Sequence, residues 1–248
     1  MIILKSGDEI EKMTSASKIV AEVLLTLKEM VAPGVTTLDL DRVAEEKIKN
    51  LGGTPAFKGY RGFPSTLCVS VNDQVVHGIP SRRVLKDGDI IGLDLGAIWE
   101  GYFGDSAMTL PVGGVNQEVQ RLMDVTRQSL YEGIQQIRNE GRLSDVSHAI
   151  QTCVEKSGFS VVRDFVGHGI GRSLHEEPQV PNFGKPDSGP RLKIGMVLAV
   201  EPMVNAGTYH VKVLEDQWTV VTEDGSLSAH FEHTIALTEF GAKILTEI

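Results

Sequence analysis

A repeated order of glycines, helices and carboxylates constrains the fold of this chain more than any other feature. In the first half, one helix ends at Gly34, a second helix follows, and Gly88 introduces a strand that carries Asp94. Each of these residues has a counterpart 107 positions later, namely Gly141, Gly195 and Glu201. Coincidence among common residues is the alternative. Matched element order and matched acids favour a duplication, which predicts two related α/β halves with a site at their junction.

Apolar periodicity and turn residues predict the elements of both halves. Helices are predicted over residues 7–30, 37–50, 116–138 and 144–156. Strands are predicted over 66–71, 74–78, 90–97, 102–110, 159–166, 196–203, 209–214, 217–223 and 229–237, and a Pro- and Gly-rich loop over 178–191. We expect a single domain over residues 1–248, in which the internal repeat covers approximately 7–110 and 116–237.

Charge and cysteine content limit the class of protein. The net charge is -9 and we find no run of Lys and Arg, which argues against a nucleic-acid partner. Cys68 and Cys153 are too few for a disulfide framework and fit a reducing compartment. The N-terminus has only a short apolar run, and no stretch reaches the roughly 18 apolar residues of a membrane span. We therefore expect a cytoplasmic protein that does not enter a membrane.

Two aspartates interrupt neighbouring apolar strands in the first half. Asp94 lies in the predicted strand 90–97, where an unpaired charge is costly, and Asp105 lies in the next strand. A hairpin centred on Trp99 and Glu100 would place the two aspartates directly opposite each other, about 5 Å apart at Cβ. Two like charges at that distance repel unless a cation lies between them. The alternative is that one aspartate caps a turn while the other faces solvent.

Two glutamates pose the same problem in the second half. Glu201 and Glu232 both lie in strands that would otherwise be apolar core. A turn at residues 224–225 predicts that the strand of Glu232 pairs with the preceding strand, which would bring Trp218 close to Glu232. These strands contain almost no Lys or Arg, so the acids need another source of positive charge.

A glycine-rich segment, Val166–Glu177, carries two histidines. His168 lies between Gly167 and Gly169 at the end of the predicted strand 159–166, and glycine lets the backbone approach closely to whatever the histidine contacts. One imidazole and four carboxylates exceed the three protein ligands that a single catalytic zinc typically takes. They suit two divalent ions about 3.5–4 Å apart that share bridging carboxylates. An oxygen-rich ligand set favours Mn(II), Fe(II) or Co(II), with Zn(II) less favoured, and such a pair is typical of a hydrolase.

The motifs that carry these residues resemble those of type I methionine aminopeptidases over essentially the whole chain. The matching motifs are His77-Gly-Ile-Pro80, Asp94-Leu-Gly-Ala97, Gly104-Asp-Ser106, Gly167-His-Gly-Ile-Gly171, His175-Glu-Glu-Pro178, Glu201-Pro-Met203 and Phe231-Glu-His-Thr-Ile235. The resemblance implies the pita-bread fold, an α/β (α+β) architecture whose two pseudo-twofold-related halves form an antiparallel sheet covered by helices. It implies a single catalytic domain that uses a metal-bridged hydroxide.

The substrate implied by the resemblance is the N-terminal methionine of peptides and nascent polypeptides, removed when the second residue is small and uncharged. A cytoplasmic location and a transient association with the ribosome are further expectations from the family. We also expect a monomer.

The resemblance also implies a role for each ligand. Asp94 would chelate one metal ion and His168 the other. Asp105 and Glu232 would bridge the two ions. Glu201 would bind the His168 ion and move the proton of the attacking water.

Two histidines and an apolar pocket would bind the substrate. By resemblance, His175 would stabilise the oxyanion of the scissile carbonyl, and His77 would contact the substrate amide and help the amine leave. The methionine pocket would be lined by Tyr60, Phe63, Cys68, Leu174 and Trp218. Cys68 and the aromatic rings suit a thioether. Phe63 stands where the family commonly has Tyr, and Leu174 where it commonly has Phe, so fine substrate preference is open.

Three alternatives remain at this point. An X-Pro aminopeptidase or prolidase shares the fold but usually carries an N-terminal domain, for which this sequence leaves no room. A type II methionine aminopeptidase has a helical insert, whereas only 31 residues separate Glu201 from Glu232. A metal-free binding protein on the same fold, such as a nucleic-acid or chaperone module, would be expected to lose ligands.

Overall fold

Four helices form at the positions that the sequence predicts. The computed structural model describes residues 1–247, with helices α1 Gly7–Met30, α2 Thr37–Asn50, α3 Gln117–Ile134 and α4 Leu143–Lys156. A capping box starts α1, because Ser6 Oγ accepts from the Glu9 amide while the Glu9 carboxylate accepts from the Ser6 amide. Helix α3 ends four residues before the predicted 138, since tighter i to i−3 hydrogen bonds at Gln136 and Ile137 replace the helical pattern there.

All strand pairs within residues 1–247 are antiparallel. The strands are β1 Thr54–Pro55, β2 Leu67–Val71, β3 Gln74–Val76, β4 Ile90–Trp99, β5 Tyr102–Pro111, β6 Ser160–Val161, β7 Gly167–Gly169, β8 Glu176–Val180, β9 Val197–Val200, β10 Met203–Asn205, β11 Val211–Val213, β12 Val220–Thr222, β13 Ser228–His230, β14 His233–Thr238 and β15 Gly241–Ile244. In the first half, β4 pairs with β1 and β2 on one edge and with β5 on the other. In the second half, five strands follow the order β15-β14-β9-β7-β8.

Each half places its helix pair over its own sheet. Side chains of α1 and α2, such as Leu24 and Leu40, pack against Leu93 of β4. Residues of α3 and α4, such as Leu130 and Ile150, form the equivalent cluster with β9 and β14. Full burial of each such side chain contributes about 1.5–3 kcal/mol. The observed helices and antiparallel sheets confirm the predicted fold class.

The two halves make equivalent backbone contacts, with the helix-end residues 106 positions apart and their leucine partners 107 positions apart, close to the predicted spacing of 107. Leu85 accepts from the Gly34 amide and donates to Val35 at 2.9 Å each. Leu192, which is 107 positions after Leu85, accepts from Glu140 and donates to Gly141 at 2.8 Å each. The duplication and its boundaries stay a prediction, which these contacts support.

Strand β5 joins the two halves. Glu232 donates its amide to the Ala107 carbonyl at 2.9 Å and forms an isolated antiparallel bridge with it. Two residues along, the Thr234 hydroxyl accepts from the Asp105 amide at 3.1 Å and donates to the Asp105 carbonyl at 2.8 Å. These bonds bring an acid of the first half and an acid of the second half onto adjoining strands.

Several strand predictions in the second half are wrong. Only Ser160–Val161 of the predicted strand 159–166 is a strand, and residues 178–180 of the predicted loop belong to β8. The predicted hairpin of 217–223 with 229–237 is wrong, because β12 pairs with β11 and β3 while β13 pairs with β10. The Asp224 carboxylate accepts from the Thr208 amide at 2.7 Å, which ties the turn to another loop and directs the chain into a different sheet. None of the helices within residues 1–247 is long and apolar enough to cross a membrane.

Candidate metal centre and active site

Every site residue that the sequence predicts lines one cavity of about 170 Å³. Its walls come from both halves of the fold. The predicted residues that line it are Tyr60, Phe63, Cys68, His77, Asp94, Asp105, His168, Leu174, His175, Glu201, Trp218 and Glu232. Phe57 and Arg61 also line it and were not predicted. Residues as far apart in sequence as Tyr60 and Glu232 therefore share one site.

The two aspartates lie on one face of the β4–β5 hairpin, but not directly opposite each other. Asp94 pairs with Ala107, and Asp105 pairs with Gly96. The predicted register is wrong by two residues because the turn is Glu100–Gly101, where both residues have positive φ as in a two-residue type I′ turn. The aspartates are therefore diagonal neighbours, which still leaves both side chains on the same face of the sheet.

Three ligand atoms converge at the junction of the halves. One atom each from Asp105, His168 and Glu232 lies within 4.8 Å of the other two, and all three residues are buried. Glu201 extends the cluster, since its Oε1 lies 3.6 Å from His168 Nε2. Asp94 lines the same cavity on the adjoining strand.

The orientation of His168 is fixed by its own strand. Its Nδ1 lies 2.9 Å from the Gly169 carbonyl and donates to it, so the lone pair of the neutral ring is on Nε2, which faces the carboxylates. His168 was predicted to follow a strand over residues 159–166, but it lies within the separate strand β7. Its glycine neighbours are required by close packing, because a Cβ on Gly167 would lie 2.4 Å from the Ala199 carbonyl oxygen, and one on Gly169 would lie 2.3 Å from the Glu177 carbonyl oxygen.

Burial makes the ionised cluster costly without a cation. Burial raises the pKa of Asp94 to about 7. Burial, and then the charges of neighbouring carboxylates, raise the pKa values of Asp105, Glu201 and Glu232. Burial lowers the pKa of His168 to about 3, so its imidazole is neutral. Within residues 1–247, Asp94 Oδ1, Asp105 Oδ1 and Glu232 Oε1 are buried without a hydrogen-bond partner. Unpaired oxygens and a neutral imidazole are the donor set that a divalent cation requires.

His230 belongs to this cluster and was missed by sequence reasoning. It is 4% exposed, and its Nε2 lies 3.7 Å from Glu201 Oε2. Burial, and then the charge of His77, lower its pKa to about 3. The period-2 alternation of an extended chain was the available signal, because His230 lies two residues before Glu232 and can share its face.

Two more histidines, His77 and His175, line the cavity. The Tyr60 hydroxyl lies 2.8 Å from His175 Nδ1, and the His175 and His168 rings are 4.3 Å apart. Burial, and then the positive charge of Arg61, lower the pKa of His175. His77 has a φ of 59°, a backbone conformation that non-glycine residues adopt mainly where the surroundings enforce it.

The apolar side of the cavity adjoins the carboxylates. Phe63 and Trp218 meet edge to face at 5.1 Å, and Leu174 is buried beside them. Cys68 lies directly opposite Asp94 in the β2–β4 register. Burial, and then the negative charge of Asp94, raise the pKa of the Cys68 thiol, which therefore stays neutral. The cavity thus has one wall for an apolar side chain and one for a cation.

The fold and the cavity define a class of protein, the metal-dependent hydrolases of the pita-bread fold. The model of metallopeptidase family M24 matches residues 11–239, and the chain belongs to this family. Family membership implies the use of divalent metal and confirms the prediction of a metal-binding hydrolase.

Curated relatives and solved structures agree with this assignment. The chain is 56% identical to methionine aminopeptidase 1 of Bacillus subtilis and 55% identical to a methionine aminopeptidase of Clostridium perfringens, over the full length of each pair. It superimposes on the methionine aminopeptidase of Thermotoga maritima with a TM-score of 0.99 at 50% identity, covering 100% of both chains. The prolidase of Pyrococcus furiosus shares the fold at a TM-score of 0.80 and 21% identity, over 99% of this chain and 66% of that one.

Proposed function

We propose that this protein removes the N-terminal methionine from peptides and nascent polypeptides whose second residue is small and uncharged. The observation that carries the proposal is a cluster of buried, unpaired carboxylates beside an apolar pocket, in a chain 56% identical to a methionine aminopeptidase. The predictions of family, enzyme class and reaction agree with these relatives. The 21% identity to prolidase extends to the fold alone.

Two divalent ions occupy the carboxylate cluster in this proposal. Asp94, Asp105, His168 Nε2 and Glu232 would hold these ions, with Asp94 and His168 on opposite sides of the cluster and the two buried acids Asp105 and Glu232 between them. The oxygen-rich donor set favours Mn(II), Fe(II) or Co(II) over Zn(II). When bound, such ions make a water molecule acidic enough to attack a peptide carbonyl at neutral pH.

Glu201 takes the proton of the attacking water. Its Oε1 faces His168 Nε2 and its Oε2 faces His230 Nε2, at 3.6 and 3.7 Å. When the Glu201 carboxylate accepts a proton it becomes neutral, so the two neutral imidazoles beside it gain no charged neighbour.

His175 stabilises the oxyanion of the scissile carbonyl. In this role the Tyr60 hydroxyl, 2.8 Å from His175 Nδ1, donates to the ring, so that the proton of the neutral imidazole lies on Nε2 as an N–H donor for a carbonyl oxygen. His77 contacts the substrate amide and assists departure of the amine. Tyr60, Phe63, Cys68, Leu174 and Trp218 surround the methionine side chain.

A cytoplasmic location, a monomeric state and a transient association with the ribosome are proposals that rest on the resemblance. Size-exclusion chromatography with light scattering tests the monomeric state, which predicts a mass near 27.0 kDa. Cosedimentation of the protein with purified ribosomes at low and moderate salt tests the association with the ribosome.

The test of the reaction compares two peptides. The protein loaded with Mn(II) should release methionine from Met-Ala-Ser and should leave Ala-Pro peptides largely intact. EDTA should abolish the activity, and added Mn(II) or Co(II) should restore it. Preference for the Pro peptide would support an X-Pro peptidase instead. Activity that is indifferent to metal, or no turnover with any metal, would exclude the proposed mechanism.

A further inference from the structure

A buried ion pair outside the metal cluster joins the start of the chain to the segment that carries His175. Lys5 Nζ lies 2.6 Å from Glu176 Oε2, and the two side chains are 3% and 7% exposed. A buried ion pair is expensive to desolvate and often adds little to stability, so it calls for another explanation. Glu176 directly follows His175, the residue proposed to bind the scissile carbonyl.

The other oxygen of Glu176 holds the backbone of the segment before it. Glu176 Oε1 accepts from the Arg172 amide at 2.9 Å and from the Ser173 amide at 3.2 Å. The carboxylate therefore closes residues 172–176 into a compact turn that presents Leu174 and His175 to the cavity. Charge-assisted hydrogen bonds of this kind are roughly twice as strong as neutral ones.

Lys5 is itself fixed to the second half of the fold. Its amide donates to the Gly195 carbonyl at 2.7 Å, and its ammonium also donates to the Ile3 carbonyl at 3.1 Å. The site has no spare room, because a Cβ on Gly171 would lie 2.5 Å from Lys5 Cε and 2.6 Å from Glu176 Oε1. Lys5 thus has a fixed position from which to hold the Glu176 carboxylate.

The geometry points to Lys5 and Glu176 as positioning residues for His175, with Glu176 ordering the turn 172–176 and Lys5 fixing Glu176. This inference rests on the proposed function. Neither residue lines the cavity, so both act through His175 and not on the substrate.

The test uses two metal-loaded double variants. K5M/E176L replaces the ion pair with apolar side chains of similar size, which avoids an unpaired buried charge but leaves the Arg172 and Ser173 amides without their acceptor. K5M/E176Q also removes both charges but keeps an acceptor oxygen. Lys12 forms an exposed ion pair with Glu100 at 3.1 Å, and K12M provides the matched control.

We expect K5M/E176L to keep the metal content of the wild type while kcat/KM for Met-Ala-Ser falls about 10- to 100-fold, since small misplacements of a catalytic group have effects of that size. K5M/E176Q should recover most of this loss, and K12M should match the wild type. In an H175A background, the same K5M/E176L change should cost less than about threefold, because its target is already absent.

Wild-type kcat/KM in K5M/E176L would overturn the inference. So would an equal loss in the H175A background, or a K5M/E176Q variant as impaired as K5M/E176L. Absence of methionine release by the wild type would instead defeat the proposed function, so the two failures are distinguishable.

Discussion

Replacement of Asp94 by Asn should stabilise the metal-free protein while it weakens metal binding. Burial raises the pKa of Asp94 from 3.8 to about 7. Each tenfold change in an ionisation equilibrium corresponds to about 1.4 kcal/mol, so the ionised side chain costs the fold about 4 kcal/mol. Because this pKa is raised, the cost is absent below pH 3.8, grows as pH rises, and is complete above pH 7. Asn removes the charge but leaves unpaired amide groups, at a cost of about 1–3 kcal/mol.

The net expectation is that metal-free D94N is more stable than the metal-free wild type by about 1–3 kcal/mol at pH 8. The advantage should shrink as pH falls toward 5. The lowered pKa values of His77, His168 and His230 destabilise the fold below about pH 6.5, but this effect is common to both proteins and cancels in the difference. Urea unfolding in EDTA, followed by tryptophan fluorescence, measures the difference.

Excess Mn(II) should reverse the order of the two proteins. Metal at 100 times its Kd adds about 2.7 kcal/mol to the stability of the protein that binds it, and D94N should gain much less than the wild type. A metal-free D94N less stable than the wild type at pH 8, or a stability difference that does not change with pH, would show that the ionised Asp94 does not destabilise the metal-free fold.

Four further substitutions separate the roles of the site residues. D105A should abolish metal binding and turnover while circular dichroism stays native; near-normal activity would contradict a shared metal site. H175A should lower kcat about 10²–10³-fold, as loss of an oxyanion donor does, with metal content unchanged; equal loss of both would make His175 a ligand or a structural residue. T234V removes the hydroxyl that bonds both backbone groups of Asp105 and should weaken Mn(II) binding about 10- to 100-fold. T109V removes the equivalent pair of bonds to the His230 backbone and serves as the matched control. It should weaken Mn(II) binding less than T234V does, as measured by isothermal titration calorimetry.

The helices could be predicted closely because their limits are encoded locally. A capping box at Ser6 and Glu9 starts α1, and α2 runs over the predicted residues 37–50. Its N-cap is Thr36 and not Thr37, a difference of one residue. Side-chain caps act within three residues of the position they define, so the sequence alone contains the information.

The acids that line the cavity could also be picked out from the sequence, because a charge in an apolar strand is costly wherever that strand lies. This reasoning found Asp94, Asp105, Glu201 and Glu232, all of which line the cavity. It missed His230, since an imidazole on an apolar strand is an ordinary core residue unless its neighbours across the fold are known.

The strand pairing in the second half of the chain could not be predicted, because it depends on partners distant in sequence. Pro202 lacks an amide and follows Glu201 directly, so it interrupts the predicted strand 196–203. Strand β9 before it pairs with β7 and β14, and β10 after it pairs with β6 and β13. Glu201 lies at the point where the chain passes from one sheet to another, which explains how its carboxylate reaches the junction.

The two-residue difference between the predicted and observed β4–β5 registers gives Asp94 and Asp105 different positions in the site. In the predicted register, Asp94 and Asp105 would face each other as equivalent partners. In the observed register, Asp105 is carried toward Glu232, whose charge raises the pKa of Asp105 more than the charge of Asp94 does. Asp105 accordingly shares a cluster of candidate ligands with His168 and Glu232, while Asp94 stays opposite Cys68 at the edge of the proposed methionine pocket. The turn at Glu100–Gly101 therefore supports the proposal that Asp105 bridges two ions while Asp94 holds one.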